Sequence, residues 1–428
     1  FASFVNKRGD YNTSMGMNAA RFGDTASSTT FIGSLAGYFN KSDYNTGIGM
    51  YSLTYTNFTT GSSTTGAENT GLGYGAGYAI NWGAKNTAVG FQSMNGGGNY
   101  INGSRNVAVG DSTLFLFASG NDNVAIGYKA LSNATNGSQS VAVGSRALRI
   151  YSGIYPNTAI GYSSMDSAIV NGANTALGSF TLTSNKTGIN NVAVGNAAMF
   201  ESTAGSNNVA IGNDAGRLTS NGDNTAIGSG SLRNNTVGWG NTATGTYSLN
   251  NQTTAIWNTA NGYYALENDT TGSENTAMGT SSFRHIRNAI RNVGVGINTG
   301  FWASGSYNTY LGSYAGMGAS GLNTGTLNTA VGYNVLRDIS SGQQNVAIGD
   351  NALRYDSSGS RNIAIGSTSL ERNLRGTDKV AVGYTAGRLD TAGLRSVYIG
   401  RDAGYNNQED DIIAIGYNAL RNNSLGAA

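Results

Sequence analysis

A nine-residue motif recurs along almost the whole chain. It reads Asn, Thr or Val, Ala, Ile or Val, Gly, two variable residues, a small residue and Leu, as in Asn123–Leu131, Asn157–Met165 and Asn345–Leu353. The central glycine marks 24 copies from Gly16 to Gly416, and of the 23 intervals sixteen span 17 residues and four span 16. Such a fixed period predicts a solenoid, because each repeat buries its apolar face only by stacking on its neighbours.

The first half of the motif predicts a short β-strand. Its residues alternate and are often β-branched, and the position before the central glycine is apolar in 22 of the 24 copies. That position and the residue two before it, often Val, are expected to share one buried face, which leaves the small residues for close approach between chains. The small residue three after the glycine predicts a second strand or a bend, and the polar remainder predicts turns.

The whole pattern predicts an all-β fold. It is a parallel β-solenoid, or β-roll, of about 24 coils with a 16–17-residue period, forming a single continuous shaft over residues 1–428. Asparagine opens the motif in 19 copies, so its side chains are expected to stack in hydrogen-bonded ladders. Longer intervals of 20 or 24 residues predict insertion loops at about 54–68, 95–105 and 317–327, which project without breaking the stack.

A covariation within the repeat predicts how each coil is filled. In three copies an aromatic residue replaces the usual Ala or Gly two before the central glycine, and the usual Leu six positions later is then Gly. The pairs are Phe31 with Gly37, Tyr310 with Gly316, and Tyr398 with Gly404. Because close-packed interiors conserve volume, the two positions are expected to share one pocket.

Composition argues against several classes of function. The net charge is +2 and only 11% of residues are charged, so we expect no nucleic-acid partner. There is no cysteine, one histidine (His285) and no apolar run long enough to cross a bilayer. We therefore expect no cofactor, no metal site and no membrane insertion, and we predict that the chain is not an enzyme.

The repeated core Asn-Val/Thr-Ala-Ile-Gly resembles the head repeats of YadA-like trimeric autotransporter adhesins. Copies of the form Asn-Thr-Ala-Ile-Gly-Tyr are also similar to β-solenoid repeats in tail fibres of phages and phage-like particles. The resemblance extends from about Asn12 to Leu420. It implies a left-handed coil, a homotrimer, and partners that include other fibre or baseplate proteins and a glycan or protein receptor on a cell surface.

The two resemblances imply different locations. A tail-fibre shaft belongs to a virion or a similar particle and serves host attachment, whereas an adhesin head is extracellular, on a bacterial surface, and binds host matrix or glycans. The repeat is longer here than in the usual adhesin head, and we expect no coiled-coil stalk or membrane anchor after Leu420. We therefore expect a structural or adhesive fibre shaft, with the adhesin head as the alternative.

Some residues outside the repeated core are candidates for contact with a glycan or receptor, because exposed aromatic rings stack on sugars and anchor interfaces. The aromatic candidates are Trp82, Tyr100, Trp239, Trp257 and Trp302. The basic candidates, which suit an anionic glycan, are Arg284, Arg287 and Arg291. Simple packing between coils or across the trimer is the alternative for the rings, and a solubilising strip is the alternative for the arginines.

Two neighbouring coils break the apolar rule. Thr244 and Asn261 occupy the position before the central glycine. Adjacent polar residues at a core position predict a structural polar layer that fixes register at some cost in stability. A local defect, satisfied by its own hydrogen bonds, is the alternative.

Overall fold

A computed structural model describes residues 9–23, 25–57, 65–169, 172–318 and 323–423. The chain is an all-β, parallel β-solenoid of about 23 turns with a repeat of about 17 residues. It divides into two compact units, Phe1–Ser220 and Asn221–Ala428. In the described ranges both units consist of short strands joined by turns, without helices.

The first unit contains twelve three-residue strands, each beginning at the second residue of a motif. They are β1 Thr13–Met15, β2 Thr30–Ile32, β3 Thr46–Ile48, β4 Thr70–Leu72, β5 Thr87–Val89, β6 Val107–Val109, β7 Val124–Ile126, β9 Val141–Val143, β11 Thr158–Ile160, β12 Thr175–Leu177, β13 Val192–Val194 and β14 Val209–Ile211. Two shorter strands, β8 Asn133–Ala134 and β10 Ile150–Tyr151, pair with each other. Each motif strand from β1 to β13 pairs in parallel with its equivalent one repeat later, as Val124 does with Val141.

The second unit repeats this arrangement with twelve more strands. They are β15 Thr225–Ile227, β16 Thr242–Thr244, β17 Thr259–Asn261, β18 Thr276–Met278, β19 Val293–Val295, β20 Thr309–Leu311, β21 Thr329–Val331, β22 Val346–Ile348, β23 Ile363–Ile365, β24 Val380–Val382, β25 Val397–Ile399 and β26 Ile413–Ile415. Equivalent residues again lie in register, as Val346 does with Ile363. The sheet therefore runs across the coils, and each coil contributes one strand to it.

Two columns of glycine allow the coils to stack closely. The central glycines have φ between +121° and +144°, and a Cβ on Gly127 would lie 2.7 Å from the backbone of Gly144 in the next coil. The second column stands seven residues earlier, where a Cβ on Gly120 would lie 1.7 Å from the carbonyl oxygen of Gly137. Within each unit the recurring glycines therefore lie in line, as the period predicted.

The interior of each coil is lined by the middle residue of the strand. Ala125 of β7 is fully buried, whereas Val124 is only partly buried and Ile126 is exposed, and every three-residue strand except β1 has a buried middle residue. The prediction that the flanking Val and Ile positions form the buried face was therefore wrong for the single chain. At the strand, a coil of about 17 residues has room inside for the methyl group of alanine, so Val and Ile of the strand lie on its outer surface, whereas Leu131 of the following bend is buried in the interior.

The residues after the central glycine form a tight bend. Lys129 and Leu131 have φ of +54° and +49°, a left-handed conformation that costs a non-glycine residue about 1–2 kcal/mol. Hydrogen bonds between coils offset this cost, because the Lys129 amide donates to the Asp111 carbonyl and the Leu131 amide donates to the Ala147 carbonyl, each at 3.0 Å. The sequence predicted either a second strand or a bend after the central glycine, and the bend is the conformation that recurs from coil to coil.

The aromatic–glycine pairs share one pocket, as predicted. A Cβ on Gly316 would lie 2.4 Å from the Tyr310 ring, and a Cβ on Gly404 would lie 2.2 Å from the Tyr398 ring. Both tyrosine side chains are fully buried, and the third pair has the same geometry. An aromatic ring in the strand therefore occupies the space that leucine fills in other coils.

The insertion loops rejoin the stack where they are described. Ile101 in the loop at 95–105 is buried and forms an isolated parallel bridge with Ile80. Asn323 in the loop at 317–327 is buried and bridges to Ala303. Residues 58–64 of the first predicted loop and 319–322 of the third lie outside the described residues.

Candidate functional site

The outer face of the strands is a candidate surface in both units. We name it the outer stripe and define it as the first and third residues of each three-residue strand, such as Val346 and Ile348 of β22. None of these residues is charged in the strands that the structure describes. The third residues are mostly Ile, Val or Leu, and Ile348 is typical of the more open ones at 39% exposed. Extended apolar patches are uncommon on monomeric proteins and mark contact surfaces.

Tyrosines lie beside the outer stripe at intervals, in coils that are never adjacent. The residue after the central glycine is tyrosine in seven coils, and all seven side chains are exposed, with Tyr333 at 53%. They are Tyr74, Tyr128, Tyr162, Tyr263, Tyr333, Tyr384 and Tyr417. Tyrosine combines a large apolar ring with a polar hydroxyl, which suits the edge of a protein interface.

Thr244 and Asn261 lie side by side in the outer stripe of the second unit. They are the third residues of β16 and β17 and are paired directly in the parallel register. Thr244 is half-buried and Asn261 is exposed, so they form no polar layer inside the coil. The predicted core position was wrong because third strand residues point outward. In the single chain the two residues interrupt the apolar stripe.

Polar side chains do line the coil interior, but at the opening asparagine. Asn345 is fully buried, and its Oδ1 accepts a hydrogen bond from the Asn362 amide at 2.9 Å. Its Nδ2 donates to Asn328 Oδ1 at 3.2 Å and to the Gly359 carbonyl at 2.8 Å. Equivalent contacts recur through both units, so the predicted asparagine ladder is confirmed. The ladder satisfies backbone groups that would otherwise be buried without partners.

A second buried polar column lies seven residues after the central glycine. Sequence reasoning missed it, although the recurrence of Asn, Asp or Gln at this position was a usable signal. Members in the second unit are Asn235, Gln252, Asp269, Asp356, Asn373, Asp390 and Asn407, and all are fully buried. Burial raises the pKa of Asp269 well above its ordinary value, although the Gly272 amide donates to its Oδ1 at 2.8 Å.

The structure brings two of the predicted aromatic residues together. Trp239 and Trp257 come from successive coils and pack edge to face, with ring centroids 5.0 Å apart, and both remain exposed. Trp302 instead stacks on His285, with centroids 4.1 Å apart and planes inclined by 9°. Burial is the main cause that lowers the pKa of His285. Trp82 and Tyr100, in the first unit, are each nearly half exposed.

Two of the three predicted basic residues, Arg284 and Arg291, bind acidic neighbours in the preceding coil. Arg284 Nε lies 2.6 Å from Glu267 Oε2, and Arg291 Nε lies 2.8 Å from Glu274 Oε2. The backbone carbonyl of Arg287 accepts two amide hydrogen bonds from that coil as well. Arg284 and Arg291 therefore connect adjacent coils, and their charges are balanced locally.

A concave pocket in the first unit combines aromatic rings and amides. It is lined by Tyr51, Tyr74, Tyr78, Gly75, Gln92 and Asn95. The rings of Tyr51 and Tyr74 are 5.8 Å apart at 80°, and the ring of Tyr78 is 6.2 Å from that of Tyr51. Desolvation is the main cause that raises the pKa of Tyr78 to about 12. Sequence reasoning did not single out this group, because its members come from three coils.

Comparison with known protein families and curated proteins identified no relative of the chain. No protein-family model matches the chain, and a search of curated proteins found no match. Among the described residues, no helix has the length and hydropathy needed to span a bilayer. In the same part of the chain, no three His, Cys, Asp or Glu side chains are grouped so as to hold a metal ion.

Proposed function

We propose that this chain is the shaft of a trimeric fibre, of the kind that a phage or phage-like particle uses to attach to its host. In that role it stands outside the cell, joins other fibre or baseplate proteins, and positions or contributes to binding of a glycan or protein receptor. The single observation that supports this proposal is the outer stripe. It is uncharged, whereas elsewhere the surface carries ion pairs between coils, such as Arg361 Nε with Asp378 Oδ1 at 2.6 Å.

The proposed occupants of the outer stripe are two further copies of the same chain. A copy aligned in parallel register presents Ile, Val, Leu or Met at 22 of the 24 levels where the first copy does, because both repeat every coil. Three copies around one axis turn all three stripes inward and close the assembly, as cyclic symmetry requires. The resemblance to YadA-like head repeats likewise implies a left-handed trimer.

The two polar residues in the outer stripe acquire a role in such an assembly. Thr244 and Asn261 would meet their own copies across the axis and form a polar layer between chains. A polar layer in an otherwise apolar interface fixes register, since any axial shift buries amides and hydroxyls against Ile or Val. The polar layer expected from the sequence is therefore proposed for the interface between chains.

Sedimentation of the full chain tests the assembly. The wild type is expected to sediment as a trimer, and the double variant Ile348→Lys/Ile365→Lys as a monomer, because it places uncompensated ammonium groups in the interface. The matched control is Leu327→Lys/Leu374→Lys, which alters two exposed leucines outside the outer stripe in the same unit. A monomeric wild type, or an unchanged trimer in the stripe variant, would refute the proposal.

The pocket at Tyr51, Tyr74 and Tyr78 favours a second candidate, an adhesin head that binds glycans. Aromatic faces and side-chain amides are suited to binding sugar rings, and Gln92 supplies an amide there. Saturable binding of a glycan, lost in Gln92→Ala and kept when the exposed Tyr162 is changed to Ala, would support this function. A trimer that binds no glycan would leave the shaft as the better description.

A further inference from the structure

A lysine takes the place of the ladder asparagine at one level of the second unit. The side chains of Lys379 and Asp390 are both fully buried, and Lys379 Nζ lies 2.7 Å from Asp390 Oδ1. The same nitrogen lies 3.0 Å from Asn373 Oδ1. Gly376 makes room for it, since a Cβ there would lie 2.4 Å from Lys379 Cε and Nζ. Lysine is rarely buried completely, so this arrangement calls for a chemical explanation.

The amide of Asn373 is held between the lysine and a second carboxyl group. Its Nδ2 donates to Asp356 Oδ2 at 3.3 Å and to the Gly376 carbonyl at 3.0 Å. Asp356 is fully buried, and burial raises its pKa to about 7, against the hydrogen bond from the Gly359 amide. A carboxyl group with this pKa is suited to give and take a proton near neutral pH.

The other carboxyl group is placed to take a proton from the lysine. Desolvation lowers the pKa of Lys379, and the charge of Asp390 is the largest opposing influence, followed by Asp356 and Asp410. Asp390 is held in place by Tyr398, whose hydroxyl donates to Oδ2 at 2.8 Å, and by the Gly393 amide at 2.8 Å from Oδ1. Transfer of one proton from Nζ to Asp390 turns a buried ion pair into a neutral amine and acid, which suits a desolvated interior.

We propose that Lys379 and Asn373 form an intramolecular isopeptide bond. The proton of the ammonium group passes to Asp390, and the free Nζ attacks Cγ of Asn373 to form a C–N bond. Asp356 gives its proton to Nδ2, the Cγ–Nδ2 bond breaks, and ammonia leaves. Asp356 then takes back a proton from Nζ. The products are one secondary amide, one ammonia and a protonated Asp390, so atoms and charge balance without any further reactant.

The bond would be a covalent cross-link across the turn that joins two coils. Asn373 lies in the polar column of one coil, and Lys379 opens the motif of the next. The reaction removes a buried ammonium group, which is costly to desolvate, and leaves a neutral amide in its place. Because the cross-link is covalent, it keeps this turn closed under force or in denaturant, which suits a fibre under tension. The proposal of an isopeptide bond does not depend on the function proposed above.

Mass spectrometry of the full chain, denatured, tests the proposal directly. We expect a mass lower than the sequence predicts by one ammonia. Trypsin should yield residues 373–375 joined through Lys379 to residues 376–388, with no cleavage after Lys379. Without the bond, trypsin would release 373–375, 376–379 and 380–388 as separate peptides, which would overturn the proposal. A loss of water with Lys379 joined to Asp390 would overturn the assignment to Asn373.

Variants and an internal control separate this bond from other losses of ammonia. Asp356→Asn removes the proton donor while keeping its shape, and it should leave the chain folded by circular dichroism but unlinked. Lys379→Met should be unlinked as well. Asn235 occupies the same column without a lysine nearby in the motif and should stay unmodified. A loss of ammonia that maps to a cyclic imide at an Asn-Gly sequence such as Asn102-Gly103, with no branched peptide, would contradict the proposal.

Discussion

Replacing one ladder asparagine by alanine should open the solenoid locally. In Asn345→Ala, the Asn362 amide loses the acceptor at 2.9 Å and the Gly359 carbonyl loses the donor at 2.8 Å. Each buried polar group left unsatisfied costs about 1–3 kcal/mol, so the two together cost about 4 kcal/mol. Asn345→Ser should cost about half as much, because a serine hydroxyl still accepts from the next coil, as Ser140 does from the Asn157 amide at 3.2 Å.

Hydrogen exchange is the appropriate assay, because solenoid repeats are stabilised mainly by nearest neighbours and open locally. A loss of about 4 kcal/mol should accelerate exchange of the Asn362 amide about a thousandfold. The matched control is Gln343→Ala, whose side chain is exposed two residues away and whose effect should stay within about 0.5 kcal/mol. If the alanine and serine variants exchange alike, or neither differs from Gln343→Ala, the ladder does not contribute as argued.

Two further predictions concern the interior of the second unit. Because burial raises the pKa of Asp269, the folded unit keeps a proton that the unfolded chain has released, so this contribution to stability is complete below pH of about 4 and is lost as pH rises through the raised pKa. Asp269→Asn should therefore raise the denaturation midpoint at pH 8 but not at pH 4. An equal effect at the two pH values would refute the role of the raised pKa, and so would the same pH-dependent effect in the control variant Asp350→Asn, whose side chain is exposed. Gly316→Leu should destabilise the wild type by about 1–3 kcal/mol through overpacking against Tyr310. In a Tyr310→Ala background the overpacking cost should be absent, so that only the left-handed conformation at φ +56° opposes leucine. Additive costs of the two substitutions in a double-mutant cycle would be contrary evidence.

The features that the sequence predicted correctly are those that repeat at a fixed spacing. Stacking in register follows from the period, because a glycine such as Gly127 recurs wherever a neighbouring backbone comes too close for a Cβ. The asparagine ladder follows for the same reason, since each asparagine meets its own equivalent. The pocket shared by Tyr310 and Gly316 was predictable because volume is conserved within one coil.

The direction of the strand faces was not predictable from alternation alone. A period of two shows that Ala125 and its neighbours Val124 and Ile126 lie on opposite faces, but it does not say which face is inside. Hydrophobicity pointed to valine and isoleucine, whereas the volume available within a small coil selects alanine. The pocket of Tyr51, Tyr74 and Tyr78 was hidden for another reason, because its members lie in different coils and share no spacing.

The outward direction of the strand's Val and Ile residues explains why association between chains is central to the proposed function. In a larger solenoid the big aliphatic side chains fill the interior, and the single chain gains most of the hydrophobic stabilisation. Here the strand contributes only Ala347 to the interior at its level, while Val346 and Ile348 face outward. Buried alanine and leucine side chains such as Leu353, the polar ladders and backbone hydrogen bonds hold one coil on the next, but they leave the outward Val and Ile of the strand without a partner surface in the single chain. Lateral contact between chains, as proposed above, would bury the outer stripe and add the hydrophobic stabilisation that the strand face does not provide within one chain.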